Sequence, residues 1–155
     1  MHRIPKIVAT FLGVGYLPLA PGTWGSFLAS LIYLGLGLAF QNSKLLPVIL
    51  ILLSCLLYIA GIWAVRRLKE EWGKDPSRVV IDEACGIFVT FIPITFSITN
   101  ALLGFILFRI FDIWKPFGIR KIDKMQDAGG HSVMLDDVAA GIYASVVLWS
   151  LNIWL

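Results

Sequence analysis

Acidic side chains are missing from most of this 155-residue chain. All ten lie in two segments, Arg66–Glu83 and Arg109–Asp137, and no charge of either sign occurs over 7–43, 45–65, 84–108 or 138–155. Charged residues make up 15% of the chain and hydrophobic ones 58%, against about 25% and 45–50% in soluble domains. A water-soluble fold of this size has too much surface to hide that apolar excess, and a soluble globular protein is excluded. Cysteine is scarce as well. Cys55 and Cys85 form no C-x-x-C pair, which argues against a disulfide framework or a thiolate metal site and leaves both as small buried hydrophobes.

The charge-free stretches are the helices of a bilayer. A hydrocarbon core about 30 Å thick needs about 20 helical residues. Leu45–Val65 meets that length, 138–155 just meets it, and 27–40 falls short unless its helix starts earlier. The stretch 84–108 contains Pro93, Ser97, Thr99 and Asn100. Both its flanks carry charge of the kind found on one membrane face, so it is expected to be a hairpin of two short helices turning near 94–100 rather than one kinked span. The fold class is therefore all-α, a polytopic membrane bundle forming one membrane-embedded domain over 1–155.

Twelve of the thirteen Lys and Arg lie in the N-terminal tail or the two polar segments, and only Lys44 is elsewhere. The positive-inside rule places tail and polar segments in the cytoplasm and Lys44 opposite. The net charge of +3 then reads as topological, attractive to an anionic leaflet, and no nucleic-acid partner is expected. A basic tail followed by an apolar run has the outline of a signal peptide, but Gly13, Gly15, Pro18, Pro21 and Gly22 break the run and cleavage is not expected. The same residues predict an irregular interfacial loop over 7–26, with Thr23 or Ser26 capping the first span.

Three polar clusters flank the spans: Asp82-Glu83, Arg109-x-x-Asp112-x-x-Lys115 and Asp136-Asp137. Singly, each has an innocent reading as a helix cap, a local ion pair or a snorkelling anchor. Together they place five carboxylates at one end of three apolar segments, where they would repel one another unless a cation lay between them. Mg²⁺, which takes oxygen ligands and keeps positions for water and phosphate oxygens, fits that need. With Arg and Lys nearby, phosphoryl chemistry is the natural class. Gly-rich turns at 12–15, 22–25 and 129–130 are candidates to present N–H groups to a phosphate. His131 is a possible general acid, though an interfacial loop histidine is the more economical reading. An ion transporter would place charge inside the spans, which this chain lacks, and a non-catalytic assembly subunit gives no reason for clustered carboxylates.

Four blocks carry a specific resemblance: 13–26 (GVGYLPLAPGTWGS), Asp75-Pro with Val79-Val-Ile-Asp-Glu and Gly86, 108–116 (FRIFDIWKP), and Gly129-Gly with 134–141 (MLDDVAAG). In this order they resemble the bacterial phosphatidylglycerophosphatase A family along nearly the whole chain. The resemblance implies a Mg²⁺-dependent, multi-pass inner-membrane enzyme whose site faces the cytoplasm. It would hydrolyse phosphatidylglycerophosphate to phosphatidylglycerol in phospholipid biosynthesis. It implies Asp82, Glu83, Asp112, Asp136 and Asp137 as catalytic acids, with Asp82, Glu83, Asp112 and Asp137 as metal ligands. Arg109 and Lys115 would face the phosphate, with Tyr16, Thr23, Ser26, Gly129 and Gly130 also on the substrate side. Gly118, where proline is expected, and His131-Ser132, where glycine-rich sequence is expected, are local departures.

Overall fold

A computed structural model describes residues 3–40, 43–72, 77–116, 118–123, 125 and 130–154. Among them are seven α-helices: α1 (Arg3–Ala9), α2 (Pro21–Phe40), α3 (Leu45–Trp72), α4 (Ile81–Phe91), α5 (Ile98–Trp114), α6 (Ile119–Asp123) and α7 (His131–Trp154), with a 3-10 turn at Val14–Tyr16. No described residue is in a strand. α2, α3 and α7 are each long and apolar enough to cross a membrane. Leu52, Leu56 and Ile59 form a helical stripe on α3 and are exposed by 64%, 61% and 68%, an outward apolar face of the kind that suits a bilayer.

Residues 84–108 form the hairpin. α4 runs inward, the chain turns over 92–97, and α5 returns after Ser97, whose side chain accepts the Asn100 N–H at 3.0 Å and caps the helix. The turn adjoins Ser43 and Lys44 of the α2–α3 connection and Pro47 in the first turn of α3, so the hairpin reaches the far end of the bundle. α4 manages this with 11 residues, about 16 Å of helix, because the irregular turn covers the remainder. Asn100 and Asn152 exchange amide hydrogen bonds at 2.9 and 3.1 Å and tie the turn to the end of α7. Such interhelical bonds in a membrane are worth about 0.6 kcal/mol each.

Two helix starts differ from expectation, and both bear on the site. α2 begins at Pro21, where proline's missing N–H costs nothing, so 7–26 is partly helical and Thr23 and Ser26 lie inside the first turns rather than capping. The Ala20 carbonyl takes the Thr23 and Trp24 N–H groups instead. α7 begins at His131, which places Asp136 and Asp137 in its second turn, both buried. A capping role for Asp136 is thereby excluded.

Lipid offers helices little hydrophobic reason to associate, so close packing must do it. The core stacks Tyr33 on Phe91 with centroids 3.8 Å apart and buries Phe88 and Phe108. The tightest approach is between α4 and α7, where Gly86 and Gly141 meet backbone to backbone. A Cβ on Gly141 would strike the Gly86 carbonyl, and one on Gly86 would strike the Asp137 carbonyl and the Phe108 ring. Asp82 and Asp137 lie one turn before these glycines, so the crossing brings the two carboxylates together. Gly141→Val is expected to destabilise the protein by about 1–3 kcal/mol, the usual range for overpacking. A lowered melting temperature in detergent, with α-helical circular dichroism retained below it, is the measurement.

Candidate active site

The amino-terminal ends of α2, α4 and α7 and the carboxy-terminal end of α5 converge on a cavity of about 530 Å³. Pro21, Gly22 and Thr23 enter it from α2, Asp82 and Glu83 from α4, and Ser132, Asp136 and Asp137 from α7. Three helix amino termini pointing at one space favour an anion there. α5 contributes Arg109, Asp112 and Lys115. Lys115 closes that helix in a left-handed conformation, its N–H bonded to the Phe111 carbonyl at 2.8 Å, and Pro116 prevents continuation.

The carboxylates fall into two sets. Asp82, Glu83 and Asp137 each place an oxygen within 4.8 Å of the others, close enough to share one cation. Asp82 accepts the Glu83 N–H at 3.1 Å. Asp112, expected to join the ligand set, instead pairs with Arg109 one helical turn away. Asp136 accepts from Lys115 Nζ at 2.6 Å, and the same ammonium donates to Asp123 at 2.6 Å. Among the described residues the cavity lining thus holds six carboxylates against two cations, an imbalance that favours added positive charge. Burial, followed by the neighbouring charges of Asp82 and Asp112, pushes the Glu83 carboxyl well above its ordinary range. Burial raises Asp82 too, and the Asp112 charge adds to it, against hydrogen bonds with Glu83 that pull the other way. At Lys115 burial works downward, but Asp123 and Asp136 outweigh it and hold the ammonium above its usual value.

Of the five buried polar side-chain atoms without a partner among the described residues, three belong to residues lining this cavity: Oε2 of Glu83, Oδ1 of Asp136 and Nε of Arg109. An unpaired buried polar atom is costly, and two of the three are carboxylate oxygens, the donor type a hard divalent cation takes. The residues present therefore fit such an ion. Gly22 keeps room beside them, since a Cβ there would run into Oε1 of Glu83.

Other expected site residues are arranged differently. Thr23 lines the cavity. Ser26 is fully buried and donates to the Gly22 carbonyl at 2.8 Å, while Nη1 of Arg109 donates to its Oγ at 3.4 Å, so it positions the arginine and does not line the cavity. Tyr16 is not in the site: its ring packs edge-on against Trp72 at 6.3 Å, with the Arg78 guanidinium 5.9 Å from its centroid. Gly130 adopts φ +76° before α7 and abuts Val65 rather than the cavity. Gly129 lies outside the described residues. Of the glycine-rich turns, 22–25 alone contributes to the lining among the described residues, through Gly22 and Thr23. His131 faces α3, its Nε2 3.1 Å from Arg66 Nη2 and its Nδ1 3.3 Å from the Tyr58 hydroxyl, and does not line the cavity. Asp123 was not expected. The only signal for it is a carboxylate eight residues beyond Lys115, on a five-residue helix too short to show periodicity.

Comparison with known proteins agrees with this geometry. Residues 7–152 match the family described as Phosphatidylglycerophosphatase A. A Haemophilus influenzae phosphatidylglycerophosphatase A is 34% identical over 96% of this chain and 89% of its own. The Escherichia coli phosphatidylglycerophosphatase A is 31% identical over 92% and 80%. A Bacteroides thetaiotaomicron protein named "Putative phosphatidylinositol-3-phosphatase" is 40% identical over 94% and 91%. No solved structure matches the chain. A membrane-embedded helical bundle, an acidic cavity at the convergence of its helix ends and a match across nearly all its length lead to one assignment: the chain belongs to the phosphatidylglycerophosphatase A family.

Proposed function

We propose that the cavity hydrolyses the terminal phosphate monoester of phosphatidylglycerophosphate, giving phosphatidylglycerol for phospholipid biosynthesis. The enzyme would act at the cytoplasmic face of a bacterial inner membrane and depend on Mg²⁺. The observation that carries this reading is the close trio Asp82, Glu83 and Asp137 facing Arg109 and Lys115 across a space large enough for a phosphoglycerol headgroup. Asp82, Glu83 and Asp137 would hold the cation, which when bound offsets phosphate charge and makes water a better nucleophile.

The chain's own residues supply the rest. The three helix amino termini and Arg109 bind the phosphate oxygens. Asp112 and Ser26 fix the arginine from behind. Asp136, whose Oδ2 is held by Lys115 while Oδ1 has no partner among the described residues, is placed to accept a proton from the attacking water. The water oxygen bonds to phosphorus, the bond from phosphorus to the glyceryl oxygen breaks, and that oxygen leaves as the alcohol after taking up a proton. Recovery of a phosphorylated enzyme would replace this direct attack with a carboxylate nucleophile.

The name of the Bacteroides relative points to the same bond on another lipid, so the test offers both substrates. Purified protein in detergent with Mg²⁺ is expected to release phosphate from phosphatidylglycerophosphate and to prefer it to phosphatidylinositol 3-phosphate. Excess chelator is expected to stop release, and restored Mg²⁺ to restart it. The reverse lipid preference would reassign the substrate; release unaffected by chelator would remove the cation from the mechanism.

A further inference from the structure

A second cavity lies against the first on the lipid side of the bundle. Its volume is about 330 Å³, and it is bounded by Leu19, Ala20, Thr23, Trp24, Phe27 and Phe105. Ala20 and Thr23 line both cavities, so the apolar groove continues directly from the polar site. Apart from the Thr23 hydroxyl and the indole N–H, the groove offers only apolar side-chain surface, and Trp24 Nε1 is turned away to donate to the Pro18 carbonyl at 3.2 Å. Phe27 braces both neighbours edge-on, with centroids 6.4 Å from Trp24 and 6.4 Å from Phe105. Leu19, left-handed at φ +77° and fully exposed, stands at its edge.

Building on the phosphatase reading, we infer that this groove is the acyl-chain subsite, taking one chain of the phospholipid whose phosphate occupies the acidic cavity. The polar-to-apolar order of the two cavities matches the order of headgroup and chain along a phospholipid, and Ala20 and Thr23 mark where the glycerol backbone would pass. A chain leaving lipid for the groove gains little from the hydrophobic effect, because lipid tails are as apolar as the walls. What the groove adds is aromatic contact along one chain, made alike before and during the reaction. Such binding is uniform between ground and transition states, so its loss raises KM and leaves kcat nearly unchanged.

The test uses the full-length protein in detergent. Phe27 is 46% exposed, so Phe27→Ala removes a wall without opening the core. It is expected to raise KM for phosphatidylglycerophosphate roughly fivefold, the scale of one aromatic packing contact. The control Leu56→Ala, on the lipid face of α3, is expected to change neither constant. A phosphatidylglycerophosphate carrying a photoreactive diazirine in mid-chain is expected to label peptides spanning Leu19–Phe27 and Phe105, less so in Phe27→Ala. An unchanged KM, or labelling spread over the exposed faces of α2, α3 and α7 alike, would overturn the inference and leave only bulk lipid against the groove. Absence of phosphate release from the unaltered protein would overturn the phosphatase reading instead, and the labelling pattern, which needs no turnover, would still decide the groove.

Discussion

Asp137→Asn is expected to lower phosphate release from phosphatidylglycerophosphate by about 10³-fold or more, the upper range for removing one preorganised electrostatic group from an active site. The substitution is nearly isosteric, so packing around the Gly86–Gly141 crossing is preserved and the loss is chemical. Asp137 is buried to 3% exposure and shares its space with Asp82 and Glu83. Taking away its charge weakens the trio's hold on a cation, and raising Mg²⁺ should recover only part of the rate. Full activity in a folded Asp137→Asn protein would move the cation, or the chemistry, away from this trio. The same substitution relieves repulsion among buried carboxylates when no cation is present. The variant is therefore expected to melt no lower than the unaltered protein in chelator, while losing whatever stabilisation Mg²⁺ confers by binding the folded state.

Gly22→Ala carries the second large effect. One methyl group enters the space held by Oε1 of Glu83 and must push that carboxylate aside. A displacement of about 1 Å at a reacting centre costs about 10²-fold, and that is the expected fall in kcat/KM. Gly22 sits in the first turn of α2 with a helical backbone, where alanine is the better helix former, so the melting temperature should hold or rise. Opposite directions for rate and stability distinguish a distorted site from a damaged fold. Equal rates for Gly22→Ala and the unaltered protein would show that Glu83 has freedom to move aside and that its position is not critical.

Much of this architecture was legible from hydropathy and charge because a membrane separates the two so strictly. The gaps between charged segments marked the start of α3 and the existence of the hairpin, though α3 runs on to Trp72 and the hairpin helices extend from Ile81 to Trp114, and the charge on both flanks of 84–108 favoured a chain that returns to the side it left. The starts of α2 and α7 were misjudged for two reasons: at α7 the edge of a charge-free stretch was taken for the edge of a helix, and at α2 glycine and proline were taken to exclude one. Asp136 and Asp137 are charged but buried one turn inside α7, and the glycines and prolines of 13–26 did not prevent a helix from beginning at Pro21. The carboxylates were visible as residues but only partly in their pairings. The i,i+3 spacing offered the Arg109–Asp112 ion pair, but nothing in the pattern reveals that Lys115 is shared between Asp123 and Asp136. Tyr16 shows the converse error, since it sits in a motif block beside Thr23 and Ser26 yet packs on Trp72, because a left-handed turn at Phe11–Gly13 and another at Leu19 redirect the chain.

The glycine crossing of α4 and α7 has a bearing on ion choice. With no side chain between the helices at Gly86 and Gly141, the separation of Asp82 and Asp137 rests on contact between main-chain atoms, which cannot change rotamer to widen or narrow the gap. A flexible cage adapts to the radius of its ion and tolerates Ca²⁺ at 2.3–2.6 Å, whereas Mg²⁺ demands near-octahedral oxygen contacts at about 2.0–2.1 Å. On the proposed reading, the crossing would leave only side-chain torsions to adjust the gap between the two carboxylates, a restraint that would favour the smaller ion.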